Sequence, residues 1–450
     1  MKFQKVLELL NNNEISTLKD VINSYNSLDI NSIIDQLEGD KKAVVFRLLN
    51  KDNAISAFEL MDIDNQQQIL ALLTDERANE FVNELEPDDR AKLLDELPAK
   101  VANRLMSSLS KEERDKTANI LGYEPETAGR IMNPNILKLN GTMTVTEAVK
   151  KIKERYKDIE DFHFIFVTDK KRKLVGYVSL MDVIVADKED KIEDVMEPNV
   201  YSVYTSEDQE KASRLLQKAD LIELPVVDKE GRLLGVITAD DAMEVLENEA
   251  TEDIFEKAGL TTSDNEVDRS KRMINGTVLQ IWKVRLPFLI ITLIGGLTAG
   301  AVIGSFEETL EAIAAVAIFI PVVMDMGGNV GTQSSTIFTR ALILGQIDRK
   351  RFSKHFAKEV GIGASMGMLL GIVTGVIAEV WQQIPGIGFA VGIALALTVT
   401  LATALGFAIP FLLNKLGFDQ AAGSDPIITT IKDISGLAIY FFLVTHFLGH

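Results

Sequence analysis

Residues Pro321–Ser335 read PVVMDMGGNVGTQSS and lie between two apolar runs, AIAAVAIFI (Ala312–Ile320) and TIFTRALILG (Thr336–Gly345). In hydrocarbon every unpaired polar group costs several kcal/mol, so polar side chains and irregular backbone persist only against protein or a water-filled path. Pro321 is therefore expected to break the helical ladder, and Gly327 and Gly328 to permit close backbone approach. The freed carbonyls would join Asp325, Asn329 and Gln333 in offering oxygens to a path. A second such place is GSDPIITTIKDISG (Gly423–Gly436), with Asp425 and Asp433. Hard divalent cations take oxygen ligands, and Mg²⁺ keeps several of its waters, so one carboxylate per subunit with carbonyls suits hydrated Mg²⁺. Two alternatives stand beside this reading: Asp325 pairs with a neighbouring helix, or Asp433 forms a salt bridge with the adjacent Lys432.

Around this stretch the chain is greasy and nearly neutral. Residues 271–450 hold 12 Lys+Arg and 10 Asp+Glu, whereas residues 1–270 hold 35 and 56, a net −21. An acidic, charge-rich module is thus joined to a membrane module. Five spans are predicted at about 286–305, 312–340, 359–380, 387–413 and 424–447, the second too long and too polar for one plain helix. Basic residues precede the first span (Arg269, Lys271, Arg272, Lys283, Arg285) and separate the second from the third (Arg349, Lys350, Arg351, Lys354, Lys358). By the positive-inside rule both places face the cytoplasm, and an odd number of spans puts His450 outside. The start, MKFQKVLELLNNNE, carries no signal-peptide pattern, which keeps the amino terminus in the cytoplasm. The acidic surface excludes a nucleic-acid partner and favours a cation. With no cysteine, disulfides and thiolate metal sites are excluded. His163, His355, His446 and His450 are scattered and receive no ligand role.

In the first half, LTDERANEFVNEL, LEPDDRAKLLDEL, LPAKVANRLMSSL and LSKEERDKTANIL repeat with a period of roughly 12 residues between Asp64 and Gly122. Each unit starts with a helix-initiating residue and spaces apolar residues three and four apart. Helices this short must stack on their neighbours, which implies a wound stack. A second repeat follows: FIFVTDKKRKLVGYVSLMDVI (Phe164–Ile184) and ELPVVDKEGRLLGVITADDAMEV (Glu223–Val245) share an apolar strand, a charged turn, a Gly-centred strand (Gly176, Gly235), a hydroxyl (Ser179, Thr238) and an aspartate three positions later (Asp182, Asp241). This doubled α+β unit resembles a pair of CBS domains, with IMNP at Ile131 and VMEP at Val195 introducing the copies. The resemblance implies that Ser179 and Asp182 hold the ribose of an adenine nucleotide such as ATP. Acids then crowd AMEVLENEATEDIFEKAGL (Ala242–Leu260).

Taken together, RLPFLIITLIGGLTAGAVIG, the pattern set by Pro321, Asp325, Gly328, Asn329 and Gln333, and TTIKDISG around Asp433 resemble the MgtE family of magnesium channels and transporters over nearly the whole chain. The implied architecture is an α-helical superhelical N-terminal domain (1–131), an α+β pair of tandem CBS domains (132–250), a linking plug helix (251–272) and a five-helix transmembrane domain (273–450). It implies a homodimer in the lipid of the plasma membrane, with its pore on the two-fold axis between spans two and five. Asp433 would bind the permeating ion beside the Asn329 backbone. Regulatory Mg²⁺ would bind among Asp208, Glu210, Asp220, Asp241, Glu244, Glu249, Glu252 and Asp253, with acids of the helical stack drawn from Glu86, Asp88, Asp89 and Asp95. Closure follows from charge, since carboxylates facing one another repel until divalent ions screen them. Two places depart from the family: Asp425 stands where Gly is expected between Ser424 and Pro426, and Lys432 sets a positive charge beside Asp433. The rivals are a channel for Mn²⁺ or Co²⁺ and a membrane-anchored nucleotide sensor. An enzyme is disfavoured, because no nucleophile and base arrangement and no phosphate loop is found.

Overall fold

A computed structural model describes residues 2–61, 63–155, 164–260, 277–344, 346–347, 351–416 and 424–448. They gather into two compact units that part between Glu249 and Ala250, and each is taken by itself.

The first unit opens with ten described helices, α1 to α10, between Lys2 and Leu121. Helices α7 (Asp75–Glu84), α8 (Pro87–Glu96), α9 (Ala99–Ser108) and α10 (Lys111–Leu121) begin twelve residues apart. The interval runs further upstream than the quoted units suggest: Leu37, Leu49, Met61, Leu73, Leu85, Leu97, Leu109 and Leu121 keep the same spacing. Leu49, Leu85, Leu97 and Leu109 each sit just past a helix in extended backbone. That conformation stops the helix and turns an apolar side chain into the common core. A second device recurs every two helices. Gln66, Arg90 and Arg114 each donate to the carbonyl eight residues earlier, Phe58 O at 2.9 Å, Val82 O at 2.6 Å and Met106 O at 3.1 Å. These carbonyls lie in the last turns of α5 (Lys51–Glu59), α7 and α9, where helices leave acceptors unsatisfied. Arg90 is buried and also donates to Glu113 Oε2 at 2.8 Å and Thr117 Oγ1 at 3.0 Å.

Two three-stranded sheets follow. Strand β1 (Lys138–Asn140) runs parallel to β2 (Phe164–Thr168), which is antiparallel to β3 (Leu174–Ser179). The second copy repeats this with β4 (Val203–Tyr204), β5 (Glu223–Val227) and β6 (Leu233–Thr238). Register is shared as well, with Phe164 opposite Ser179 and Glu223 opposite Thr238. Around the sheets lie α11 (Val145–Arg155), α12 (Leu180–Val185), α13 (Ile192–Val195), α14 (Gln209–Lys218) and α15 (Ala239–Lys257). The segments IMNP and VMEP cross between copies rather than packing each on its own. Asn133 bridges Val236, and Glu197 bridges Tyr177. A Cβ on Gly235 would lie 2.7 Å from Asn133 O, and one on Gly176 2.7 Å from Glu197 O. The two glycines exist to admit the other copy's backbone.

The linking helix expected over 251–272 is, as far as Lys257, the continuation of α15. Residues 261–276, with Arg269, Lys271 and Arg272, lie outside the described residues, as do His163, Arg349, Lys350 and His450. The second unit contains α16 (Val278–Gly304), α17 (Glu307–Ala312), a 3₁₀ segment (Ala314–Phe319), α18 (Ile320–Ile343), α19 (Phe352–Gln382), α20 (Ile387–Leu416) and α21 (Ser424–Leu448). Among the described residues five stretches are long and apolar enough to cross a membrane: Ile281–Gly304, Ala314–Ile343, Phe352–Gln382, Ile387–Leu416 and Asp425–Leu448. Helix α20 holds the centre, with Ala390, Val391, Ala394, Leu395 and Val399 fully buried. It packs on α19 through small residues; a Cβ on Gly371 would stand 2.3 Å from Gly392 O. Such contact brings backbones together where lipid supplies no hydrophobic drive. Glu379 Oε2 accepts from Gly388 N at 2.8 Å, so an intramembrane carboxylate caps the start of α20.

Candidate functional site

The PVVMDMGGN stretch corrects the expectation drawn from it. Span two is indeed composite, but its irregular part precedes Pro321. The 3₁₀ segment carries it, and Tyr440 donates to Val316 O there at 2.7 Å. Pro321 stands in the first turn of α18, where a missing N–H costs nothing. Gly327 and Gly328 lie inside one unbroken helix, so their neighbourhood does not release carbonyls. The helix offers side chains instead: Asp325, Asn329, Thr332, Gln333, Thr336 and Arg340 line one exposed polar face. Asn329 Nδ2 donates to Asp325 Oδ2 at 3.2 Å, one turn apart. Asp325 thus pairs within its own helix rather than with a neighbouring one.

Asp433, on α21, does form the ion pair with Lys432. The lysine side chain is 3% exposed and the carboxylate 28%, so the ammonium is sealed in while the carboxylate keeps an open edge. Lys432 Nζ also donates to Met324 O at 2.8 Å. Gly327 makes room for it, because a Cβ there would lie 2.8 Å from Lys432 Cδ. Ser334 Oγ on α18 donates to Glu359 Oε1 on α19 at 2.7 Å. That contact was not read from the sequence, although a lone glutamate beside a glycine-rich apolar helix was its signal.

The end of α15, from Ala250 onward, belongs to this same unit. Lys257 Nζ donates to Thr336 Oγ1 on the polar face of α18, and Gly259 sits against Pro426 and Phe288. Burial holds the Lys257 ammonium below its ordinary range, opposed by the carboxylates of Asp425 and Asp253. Asp425, one of the two departures, thereby gains a cationic neighbour.

Within the first unit the carboxylates cluster where α8 meets the start of α15. Asp88 is buried, its Oδ1 has no hydrogen-bond partner, and its pKa is driven well above the usual carboxylate range by burial and then by Asp241, Asp89 and Glu86. Burial likewise raises Asp241 to about 7, against a hydrogen bond from Thr238 and with Asp89, Asp240 and Glu244 adding repulsion. Asp89 rises to about 6 through burial, with Lys92 opposing. Lys92 forms an ion pair with Glu244 across the contact. From the helical stack, Asp88 and Asp89 lie at this contact. Asp95 is engaged by Arg130, and Glu86 also accepts from Asn133 at 2.6 Å. Burial and crowding disfavour the charged forms of these carboxylates unless a proton or a cation joins them.

The other candidates have local partners. Asp208 caps α14 by accepting from Lys211 N at 2.9 Å, and Glu210 pairs with Arg214 at 2.5 Å. Gln209, between them, donates to Glu249 at 2.9 Å, which brings the start of α14 onto α15. Asp220 takes a left-handed conformation after α14, and Glu252 and Asp253 lie on the last turns of α15. Among the described residues no three His, Asp or Glu side chains converge closely enough to grip a bare ion; a hydrated ion, held through its waters, needs no such cage. Ser179 and Asp182 form a reciprocal capping box at the start of α12, with Ser179 Oγ and Asp182 Oδ2 2.5 Å apart.

Family models match the chain in the same order: the MgtE intracellular N domain over residues 25–126, CBS domains over 128–189 and 192–248, and the MgtE divalent cation transporter domain over 320–443. The magnesium transporter MgtE of Thermus thermophilus is 34% identical over 439 residues, covering 96% of this chain and 95% of the relative. That of Bacillus subtilis is 30% identical over 329 residues, covering 73% and 71%. The solved cytosolic domain of the Mg²⁺ channel MgtE in complex with ATP superposes with a TM-score of 0.52 at 32% identity, covering 54% of this chain and 99% of that one. The soluble part of a magnesium transporter gives 0.51 at 27%, covering 55% and 98%. The chain belongs to the MgtE family of magnesium transporters.

Proposed function

We propose that this protein is a Mg²⁺ channel of the plasma membrane that closes when cytosolic Mg²⁺ binds its acidic soluble part. Two copies would face each other across the polar side of α18, with α21 presenting Asp433 to the ion. The uncovered residues Asp325, Asn329, Gln333 and Thr336 support that arrangement, since a polar face within an apolar span needs water or protein opposite. Met181, Ile184 and Val185, exposed on α12, offer an apolar face for the same pairing. The soluble domains lie in the cytoplasm and the carboxyl terminus outside.

The observation that carries the gating is the cluster of Asp88, Asp89 and Asp241. Carboxylates raised this far by burial and mutual repulsion bind a divalent cation in the docked form better than in any form that separates them. Asp208, Glu210, Asp220, Glu244 and Glu249 add acids within the same unit, and Glu252 and Asp253 lie on the last turns of α15. There, Lys257 on Thr336 supports a plug that seats on the pore helix. ATP on the CBS pair at Ser179 and Asp182 would modulate closure, a reading supported by the ATP complex of a relative 32% identical.

The test is Mg²⁺ entry into liposomes carrying purified protein, with Mg²⁺ varied on the side of the soluble domains. Entry that declines as that Mg²⁺ rises is expected. Entry of Mn²⁺ or Co²⁺ in preference to Mg²⁺ would reassign the cargo, and no entry of any divalent ion would leave a nucleotide sensor.

A further inference from the structure

Lys432 is a costly residue to place in a membrane span. Its side chain is 3% exposed and its ammonium is satisfied by one backbone carbonyl, Met324 O at 2.8 Å, and by the Asp433 carboxylate. The helix opposite is shaped to receive it, since Gly327 leaves no side chain where the lysine methylenes run. A cation approaching the open edge of Asp433 therefore meets a carboxylate already neutralised from behind.

We propose that Lys432 is a tethered cation that sets the affinity and the rate of ion passage at Asp433. This rests on the reading that Asp433 meets the permeating ion. A divalent ion is attracted by the carboxylate and repelled by the ammonium sealed behind it, so the two terms oppose each other at one place. The difference leaves a site that binds loosely, through water, and releases quickly. Conduction needs that balance, because an ion held too firmly blocks the path it occupies. Lys432 suits the task because its charge is a compact point on a flexible stem.

The experiment compares wild type, Lys432→Met and Lys432→Arg in liposomes, with initial Mg²⁺ uptake measured against Mg²⁺ concentration. Methionine keeps the unbranched packing against Gly327 and removes the charge. Its half-saturating Mg²⁺ is expected to fall about tenfold, with a lower maximal rate, while Lys432→Arg stays near wild type in half-saturation. A merely structural lysine would change the amount of folded protein and leave half-saturation alone. Folded Lys432→Met with unchanged half-saturation and rate overturns the proposal, as does an equal tightening in Lys432→Arg. If Lys432→Met is not recovered folded, Lys432→Gln, which retains a donor for Met324 O, carries the same expectation. Absence of uptake by wild type itself would overturn the transport reading instead.

Discussion

Two groups of carboxylates in this chain are treated in opposite ways. Asp88, Asp89 and Asp241 are gathered with Glu86, Asp240 and Glu244, with Lys92 paired to Glu244 among them, and Asp88 Oδ1 is left without a partner. Asp433 comes with its own cation, sealed behind it and hydrogen-bonded to the helix opposite. The first arrangement is unstable until a proton or a metal ion enters; the second is already neutral. A sensor requires the former, because its conformation must depend on whether the ion is present. A path requires the latter, because its ion must leave.

The largest effect should come from Asp433→Ala. Mg²⁺ uptake is expected to fall to the background of empty liposomes, while the detergent-purified protein keeps its elution volume and helical circular dichroism. Full uptake by that variant would place the ion site elsewhere and dissolve the contrast.

Next is the sensor side. Asp88→Asn with Asp241→Asn removes two repelling charges, so the contact between α8 and α15 should form without Mg²⁺. Limited proteolysis between α10 and α15 should then be slow even without Mg²⁺, or reach protection at a Mg²⁺ midpoint about tenfold or more lower, the equivalent of one pKa unit per group. An unaltered midpoint would show that the cluster does not sense the ion. The same groups predict a pH effect of defined sign. In the contact Asp89 and Asp241 hold protons up to about 6 and about 7, whereas free carboxylates release them near about 4. Stability of the contact is therefore greatest at low pH and is lost as pH rises through the raised values. Without Mg²⁺, acidification to about 5.5 should protect the soluble domains as Mg²⁺ does at pH 8. Protection that instead grows with pH would contradict these shifts.

How far this contrast could be read in advance depends on the range of the interactions. The helical stack, the doubled CBS unit and five spans were legible because periodicity and apolar length are local properties. The twelve-residue ladder from Leu37 to Leu121 was only partly seen, since its marker is a single apolar residue at each helix end, which a search for apolar helical faces passes over. The exchange of IMNP and VMEP between copies was invisible, because adjacency in sequence suggested that each motif belonged to the copy it precedes. The crowding of Asp241 and Glu244 was visible in the sequence, whereas their nearness to Asp89 and the pairing of Asp95 with Arg130 were not. The glycines of α18 were misread for a related reason. Gly-Gly beside a proline signals a break when judged locally, whereas here Gly327 is small because Lys432, a residue more than a hundred positions later, occupies the space.

That exchange of space for charge yields the smallest and most discriminating prediction. In Gly327→Ala the new methyl would meet Lys432 Cδ at 2.8 Å and Thr398 Cγ2 at 3.0 Å. Thr398 is fully buried and cannot retreat, so the lysine must give way and its hydrogen bond to Met324 O must lengthen. Overpacking of this kind costs about 1–3 kcal/mol, measurable as a small drop in melting temperature. If the ammonium tunes the site, half-saturating Mg²⁺ should also shift, by about two- to threefold. In a Lys432→Met background the same methyl meets a flexible neutral chain, and no further shift in half-saturation should follow. Shifts that simply add across the two substitutions would mean that glycine and lysine act independently, and that the packing seen between them has no part in ion passage.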